Sequence, residues 1–255
     1  MQGSDGKELM EVVPTELHVA AILMLLLGFG SMAIVAVDVM RHPQRMWIMN
    51  VVWPVNALFA TVLAIWIYFR YGRLSTRAQA EAAMQRGEAP PSRQRTPMSI
   101  MVAKGTGHCG SACTLGDIAA EWLAFAVPSV LAWFGLHSLF DEKIFATWAL
   151  DFVFAFVIGI GFQYFTIVPM RHLGFVQGLW AAVKADAFSL TAWQVGMYGF
   201  MALANFWFFR QVLGTRLEIT MPEFWFAMQL AMLCGFATSY PVNWWLIRKG
   251  WKEKM

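Results

Sequence analysis

The sequence predicts an all-α integral membrane protein with about six transmembrane helices. One further helix, amphipathic or re-entrant, is expected on the cytoplasmic side. Three observations carry that expectation. Of the 255 residues, 58% are hydrophobic and only 14% charged, against about a quarter charged in a soluble globular domain. The apolar residues are gathered in runs of the roughly 20 residues needed to cross a bilayer. The Lys and Arg residues cluster in a few intervening segments, where they orient a membrane chain. A net charge of +3 is too small to imply a nucleic-acid partner. Three cysteines make no disulfide framework. No secretory leader is expected, because sixteen mostly polar, acidic residues precede the first apolar run.

Taken in order, residues 1–16 hold four acids and one lysine and read as a polar tail. The first span is expected over Leu17–Val37, with Gly28 and Gly30 permitting close helix packing and His18 at the interface. The second is expected over Trp47–Phe69 (together, transmembrane residues 17–69). Pro54 should bend it, and Asn56 is placed to satisfy a freed carbonyl or a neighbour. Residues 70–104 carry seven Lys/Arg and two Glu around Gly87–Pro91, a basic loop assigned to the cytoplasm. The third span is expected over Leu115–Leu136 and the fourth over Ala146–Met170, joined by the near-neutral Asp141-Glu142-Lys143. Residues 173–191 are too short and too polar to cross, and read as the cytoplasmic-side amphipathic or re-entrant helix. The fifth and sixth spans are expected over Ala192–Leu213 and Glu223–Ile247, completing residues 105–247. The basic tail 248–255 follows. Both termini then face the cytoplasm, although this leaves Arg41 and Arg45 outside and the acidic N-terminus inside.

The functional centre is expected in Gly105–Trp122, GTGHCGSACTLGDIAAEW. It gathers His108, Cys109, Cys113, Asp117 and Glu121, and the last four recur every fourth residue. That interval makes one stripe on a helix. Imidazole, thiolate and carboxylate are the donors that metal sites recruit. A duller account makes Thr114-x-x-Asp117 a capping box at a helix start, with His108, Cys109 and Cys113 in a glycine-rich mouth. That account leaves Glu121 unexplained about two turns into the membrane, where an unpaired carboxylate is costly. At about 1.5 Å per residue, Cys109 and Glu121 are ~18 Å apart, too far to share one ion. The expected division is a soft capture site at His108, Cys109 and Cys113, with Asp117 and Glu121 deeper and Asp186 as the partner from elsewhere.

Around these lie second-rank candidates. His172 and Lys184 are placed on the same cytoplasmic side as Asp186, Asn243 is a further candidate behind the ligands or along the path, and Lys184 either neutralises a carboxylate or snorkels to headgroups. Met197/Met201 and Met228/Met232 are thioether pairs one turn apart. They suit Cu(I) but also suit ordinary gap-filling. Asp151 and His137 fall toward the far side, where Asp151 is either an exit for a proton or ion or a plain interfacial residue. Trp53-Pro54-Val55-Asn56 echoes Tyr240-Pro241-Val242-Asn243.

Three blocks, GHCGSACTLGDIAAEW, GLWAAVKADAFSLTAWQVGMYG and TSYPVNWWLIRKGWKEKM, resemble a family of bacterial multi-pass membrane proteins defined only as a domain of unknown function. The likeness runs from about Thr106 to the C-terminus. It implies an inner-membrane location and draws Lys184, Asp186, Pro241 and Asn243 into the family's blocks. It implies no reaction. The chemistry itself points to a transition-metal ion, Cu or Zn, handled by transport or delivery. A membrane oxidoreductase using the metal or the thiols is the alternative, and a structural subunit beside other membrane subunits is the third. The lipid bilayer is the expected partner of all three.

Overall fold

The computed structural model describes residues 13–252, so most of the expected N-terminal tail and residues 253–255 lie outside the described residues. Among these the fold is helical, with no named strand and two isolated bridges. The helices are α1 (Thr15–Arg41), α2 (Met49–Ile67), α3 (Arg77–Gln85), α4 (Pro91–Arg95), α5 (Met98–Ala126), α6 (Val130–Trp133), α7 (Lys143–Arg171), α8 (Phe175–Ala202) and α9 (Pro222–Arg248). By length and apolarity three helical segments can cross a membrane, Thr15–Arg41, Met49–Ser75 and Lys143–Arg171.

In α1, Ala21, Gly28, Ser31, Val35 and Val39 are buried, a 3-to-4-spaced stripe of small or branched side chains. Leu23, Leu26 and Phe29 stand outward and exposed. Apolar outside with small residues at the seam is the pattern of a helix in lipid, where tight backbone approach replaces hydrophobic burial. Gly28 faces the Leu58 carbonyl so closely that no Cβ would fit.

The second segment does not run straight. Trp53 and Tyr68 touch with ring centroids 5.4 Å apart, though a continuous helix would separate them by ~22 Å along its axis. A Cβ on Gly72 would lie 3.0 Å from the Trp53 ring. The reversal is at Thr61, whose φ of 43° and ψ of −120° leave the helical region. Residues 49–60 and 62–75 are therefore two arms of a helical hairpin. Its base is closed by Arg45 N–H to Ser75 O (2.9 Å) and Arg77 N–H to Pro43 O (2.8 Å). Both ends of the hairpin thus leave on the same side as the end of α1. Residues 173–191, expected as an amphipathic or re-entrant helix, do not fold back on themselves; the chain reversal is here instead. Pro54 leaves the first arm helical, so the expected bend is displaced to Thr61.

The other long helices alternate. His18 near the start of α1 meets Glu223 at the start of α9 (2.6 Å). Glu142, before α7, takes a two-pronged bond from Arg210, beyond α8. At the opposite end, Tyr240 O–H reaches Ser99 O (3.2 Å) and Arg171 donates to Gly250 O (3.1 Å). So α1, α5, α7, α8 and α9 run end to end with α2 folded between them. The start of α1 and the end of α9 lie at opposite ends of the bundle, where six crossings with both termini on one face were expected.

α5 also departs from expectation. It starts after Pro97 and ends two residues before Pro128, so the expected third span is shifted toward the N-terminus and the glycine-rich stretch lies within it. The glycines are helix-contact positions. A Cβ on Gly116 would sit 2.6 Å from Ala155 N, and one on Gly107 would meet Asn56. α5 packs against α2, α7, α8 and α9 and is the axis of the bundle. Residues 173–191 and the expected fifth span are one helix, α8, prolonged by widened π-type turns over Leu203–Val212.

Candidate functional site

Because α5 is enclosed by four helices, its polar residues face the protein interior. His108, Cys109, Cys113 and Asp117 have no solvent exposure. This overturns both the mouth and the capping-box readings, since the helix begins at Met98, about five turns before Asp117. His108 Nε2 lies 3.1 Å from Thr166 Oγ1 of α7, and its ring meets Phe162 edge-on.

From α8, Asp186 reaches the same level. Gln163 Nε2 donates to its Oδ1 (3.4 Å), the Cys109 thiol is beside it, and its Oδ2 occupies the notch left by Gly159. Cys113 is next to Cys109 one turn deeper. A further turn along, Asp117 has Gln194 of α8 beside it and Glu121 within electrostatic reach. Asp151 of α7 faces both acids. It is buried to 1%, which removes the interfacial reading. Glu121, half-buried, closes the line near Lys143.

The result is a polar seam about 18 Å long between Cys109 and Glu121, contributed by α5, α7 and α8. Among the described residues, neither oxygen of Asp117 or of Asp151 has a hydrogen-bond partner, and Asp186 Oδ2, His108 Nδ1 and the Gln194 amide are likewise unmatched. Buried polar atoms are normally paired, so this density of unmatched ones sets the seam apart from the apolar packing around it.

The seam unites the expected Cys109, Cys113, Asp117, Glu121 and Asp186 and brings His108 to its edge. It does not bring any three His, Cys, Asp or Glu side chains together closely enough to hold a metal ion, among the described residues. Lys184 lies outside the seam: exposed, its Nζ sits 4.0 Å over the Trp251 ring, and among the described residues it pairs with no carboxylate. His172 is the exposed left-handed cap of α7, φ 52°. Asn243 is buried in a network at the basic end with Ser189 and Ser239. Met197, Met201, Met228 and Met232 pack in one core cluster with Cys109, Cys113 and Trp193, and Thr114 Oγ1 points at Met232 Sδ (3.7 Å).

Several participants were not singled out from the sequence. Gln163 and Gln194 are lone amides in long apolar runs, and that isolation was the available signal. Lys252 had none, since its place in a basic tail disguises it. It is buried to 2% and donates to Asn243 Oδ1 (2.6 Å) and Ser189 Oγ (3.2 Å).

These features define a class: a helical-bundle protein with apolar outer helices and a titratable interior. Residues 100–252, more than half of the chain and nearly all of α5 through Lys252, match the model of the family described as a domain of unknown function, DUF4396, and the chain belongs to that family. No curated protein and no solved structure matches it.

Proposed function

We propose that this chain is a bacterial inner-membrane transporter that moves a cation along the α5–α7–α8 seam, with the carboxylates relaying protons or coordinating the ion in passage. The observation that carries the reading is the pair Asp117 and Asp151, fully enclosed on facing helices with all four oxygens unmatched among the described residues. An isolated ionised carboxylate in a membrane interior costs several kcal/mol, so such groups persist where a proton or a cation neutralises them in turn.

On this reading the chain makes five crossings and one re-entrant hairpin. Arg41, Arg45, Arg73, Arg77, Lys104, Arg171, Arg248 and Lys249 then share one end, which the positive-inside rule assigns to the cytoplasm. The two charges that misfit a six-crossing arrangement now conform. Reconstitution into vesicles with a trapped pH dye tests the reading. A cation gradient should drive a pH change that Asp117→Asn and Asp151→Asn each abolish, and an inert wild-type protein would overturn it.

A soft metal as the cargo is a second reading. It is favoured by the adjacent Cys109 and Cys113 thiols packed among four methionines, a donor set suited to Cu(I) or Zn(II). Elemental analysis of protein purified from copper- or zinc-supplemented cells tests it. About one ion per chain, lost in the Cys109→Ala/Cys113→Ala variant, is the expected result, and equal metal in both forms would refute it.

A further inference from the structure

At the basic end of the seam an amine of the chain itself is seated among oxygen atoms. Lys252 Nζ donates to Asn243 Oδ1 at 2.6 Å and to Ser189 Oγ at 3.2 Å, and the Asp186 carboxylate is within its electrostatic reach. Asn243, Ser189 and Asp186 are all fully buried. We propose that these three side chains form a binding site for a monovalent cation, and that the Lys252 ammonium is a tethered occupant which a free alkali or ammonium ion replaces.

The cup is built without reference to lysine. Asn243 Nδ2 donates to Ser189 Oγ (2.8 Å) and Ser239 O (2.9 Å), and Ser239 Oγ donates to Ser189 O (2.8 Å). This network fixes the Asn243 amide and the Ser189 hydroxyl from α9 and α8. Gln163 Nε2 holds Asp186 Oδ1 (3.4 Å), while Oδ2 has no partner among the described residues. The amide and hydroxyl oxygens that touch the ammonium are hard ligands, and with the Asp186 carboxylate nearby they suit an alkali cation or ammonium rather than a soft metal.

The amine, by contrast, arrives by a detachable route. α9 stops at Arg248, and Gly250 takes φ +71°, a conformation that costs glycine little. The chain turns back so that Trp251 N–H and Lys252 N–H reach Leu246 O at 3.0 and 3.4 Å. Trp251 is held from outside by Trp245 and Lys184. Straightening the Gly250 turn withdraws the ammonium and leaves the cup in place. Such a step exchanges one positive charge for another in the neighbourhood of Asp186.

The proposal rests on the cation-path reading, but its test reads binding and not flux, so either can fail alone. Lys252→Ala protein in detergent is melted by tryptophan fluorescence in sodium, potassium, ammonium or methylammonium chloride, each against choline chloride at equal ionic strength. The expected result is a midpoint that climbs with the logarithm of the concentration of at least one small cation, an absent or much weaker response in wild type, and loss of the response in Lys252→Ala/Asp186→Asn. If Lys252→Ala does not accumulate folded, it is expressed and purified with ammonium or methylammonium, which should restore the yield. A variant indifferent to every cation in both formats, or a response that survives Asp186→Asn, overturns the proposal.

Discussion

The Asp186 carboxyl fills the space that a side chain on Gly159 would occupy, so α7 gives up a Cβ to admit an acid from α8. Gly159→Ala should push Asp186 out of the seam or part the two helices. Overpacking a close contact costs about 1–3 kcal/mol, so the midpoint should fall, and transport should fall further than in a variant at Gly161, where an added Cβ meets no atom within 4 Å. A Gly159→Ala protein matching wild type in both measurements would show that the notch has no role.

The hairpin makes a prediction of sign. In an ordinary helix, replacing Thr61 by Gly destabilises by a few tenths of a kcal/mol or more. At φ 43° a β-branched residue is strained by about 1–3 kcal/mol, and glycine removes that strain. Thr61→Gly should therefore raise the thermal midpoint, and Thr61→Ile should leave it no higher than wild type. A lower midpoint for the glycine variant would argue for a straight second helix.

Topology is testable with single cysteine reporters in a background lacking Cys109, Cys113 and Cys234. Reporters at Arg45 and Gln79 flank the hairpin and should label from the same side, as should Lys249. A reporter at Thr215 should label from the other. Arg45 and Gln79 labelling from opposite sides would mean that the segment crosses.

Asp117 and Asp151 face each other as like charges, so the fold gains nothing from both being ionised. Asp117→Asn and Asp151→Asn should keep or raise thermal stability while abolishing flux. Because the two share one environment, the double variant should fall short of the sum of the single stability changes by at least ~0.5 kcal/mol. Strict additivity would separate the two groups energetically.

Where apolar length alone decides an element, the sequence was readable. The first, fourth and sixth expected spans fall within α1, α7 and α9. α2 was not, because an apolar run reads alike whether it crosses or returns, and Thr61 is neither Gly nor Pro. Its one trace was electrostatic, the misplacement of Arg41 and Arg45 in a six-crossing arrangement. Which α5 residues would share one stripe was legible in residue type and four-residue spacing, since both survive in a helix of any depth. Its depth was misjudged because Gly105, Gly107 and Gly110 look like loop residues, whereas Gly107 and Gly110 make room for Asn56 and Trp193. Lys252 could not be placed at all, as only the Gly250 turn carries it inward.

The hairpin also constrains the order in which this protein can be assembled. The carbonyl of Leu58, near its tip, is capped by Gln229 at 2.7 Å, a residue 171 positions later in the chain, and Asn56 is matched by Ser111, 55 positions later. When the ribosome has made only the first hundred residues, neither partner exists, although the contacts that close the base of the hairpin already do. The polar groups at its tip therefore stay unmatched until α5 and α9 are made, and chains interrupted before α9 should hold the tip less firmly than the base.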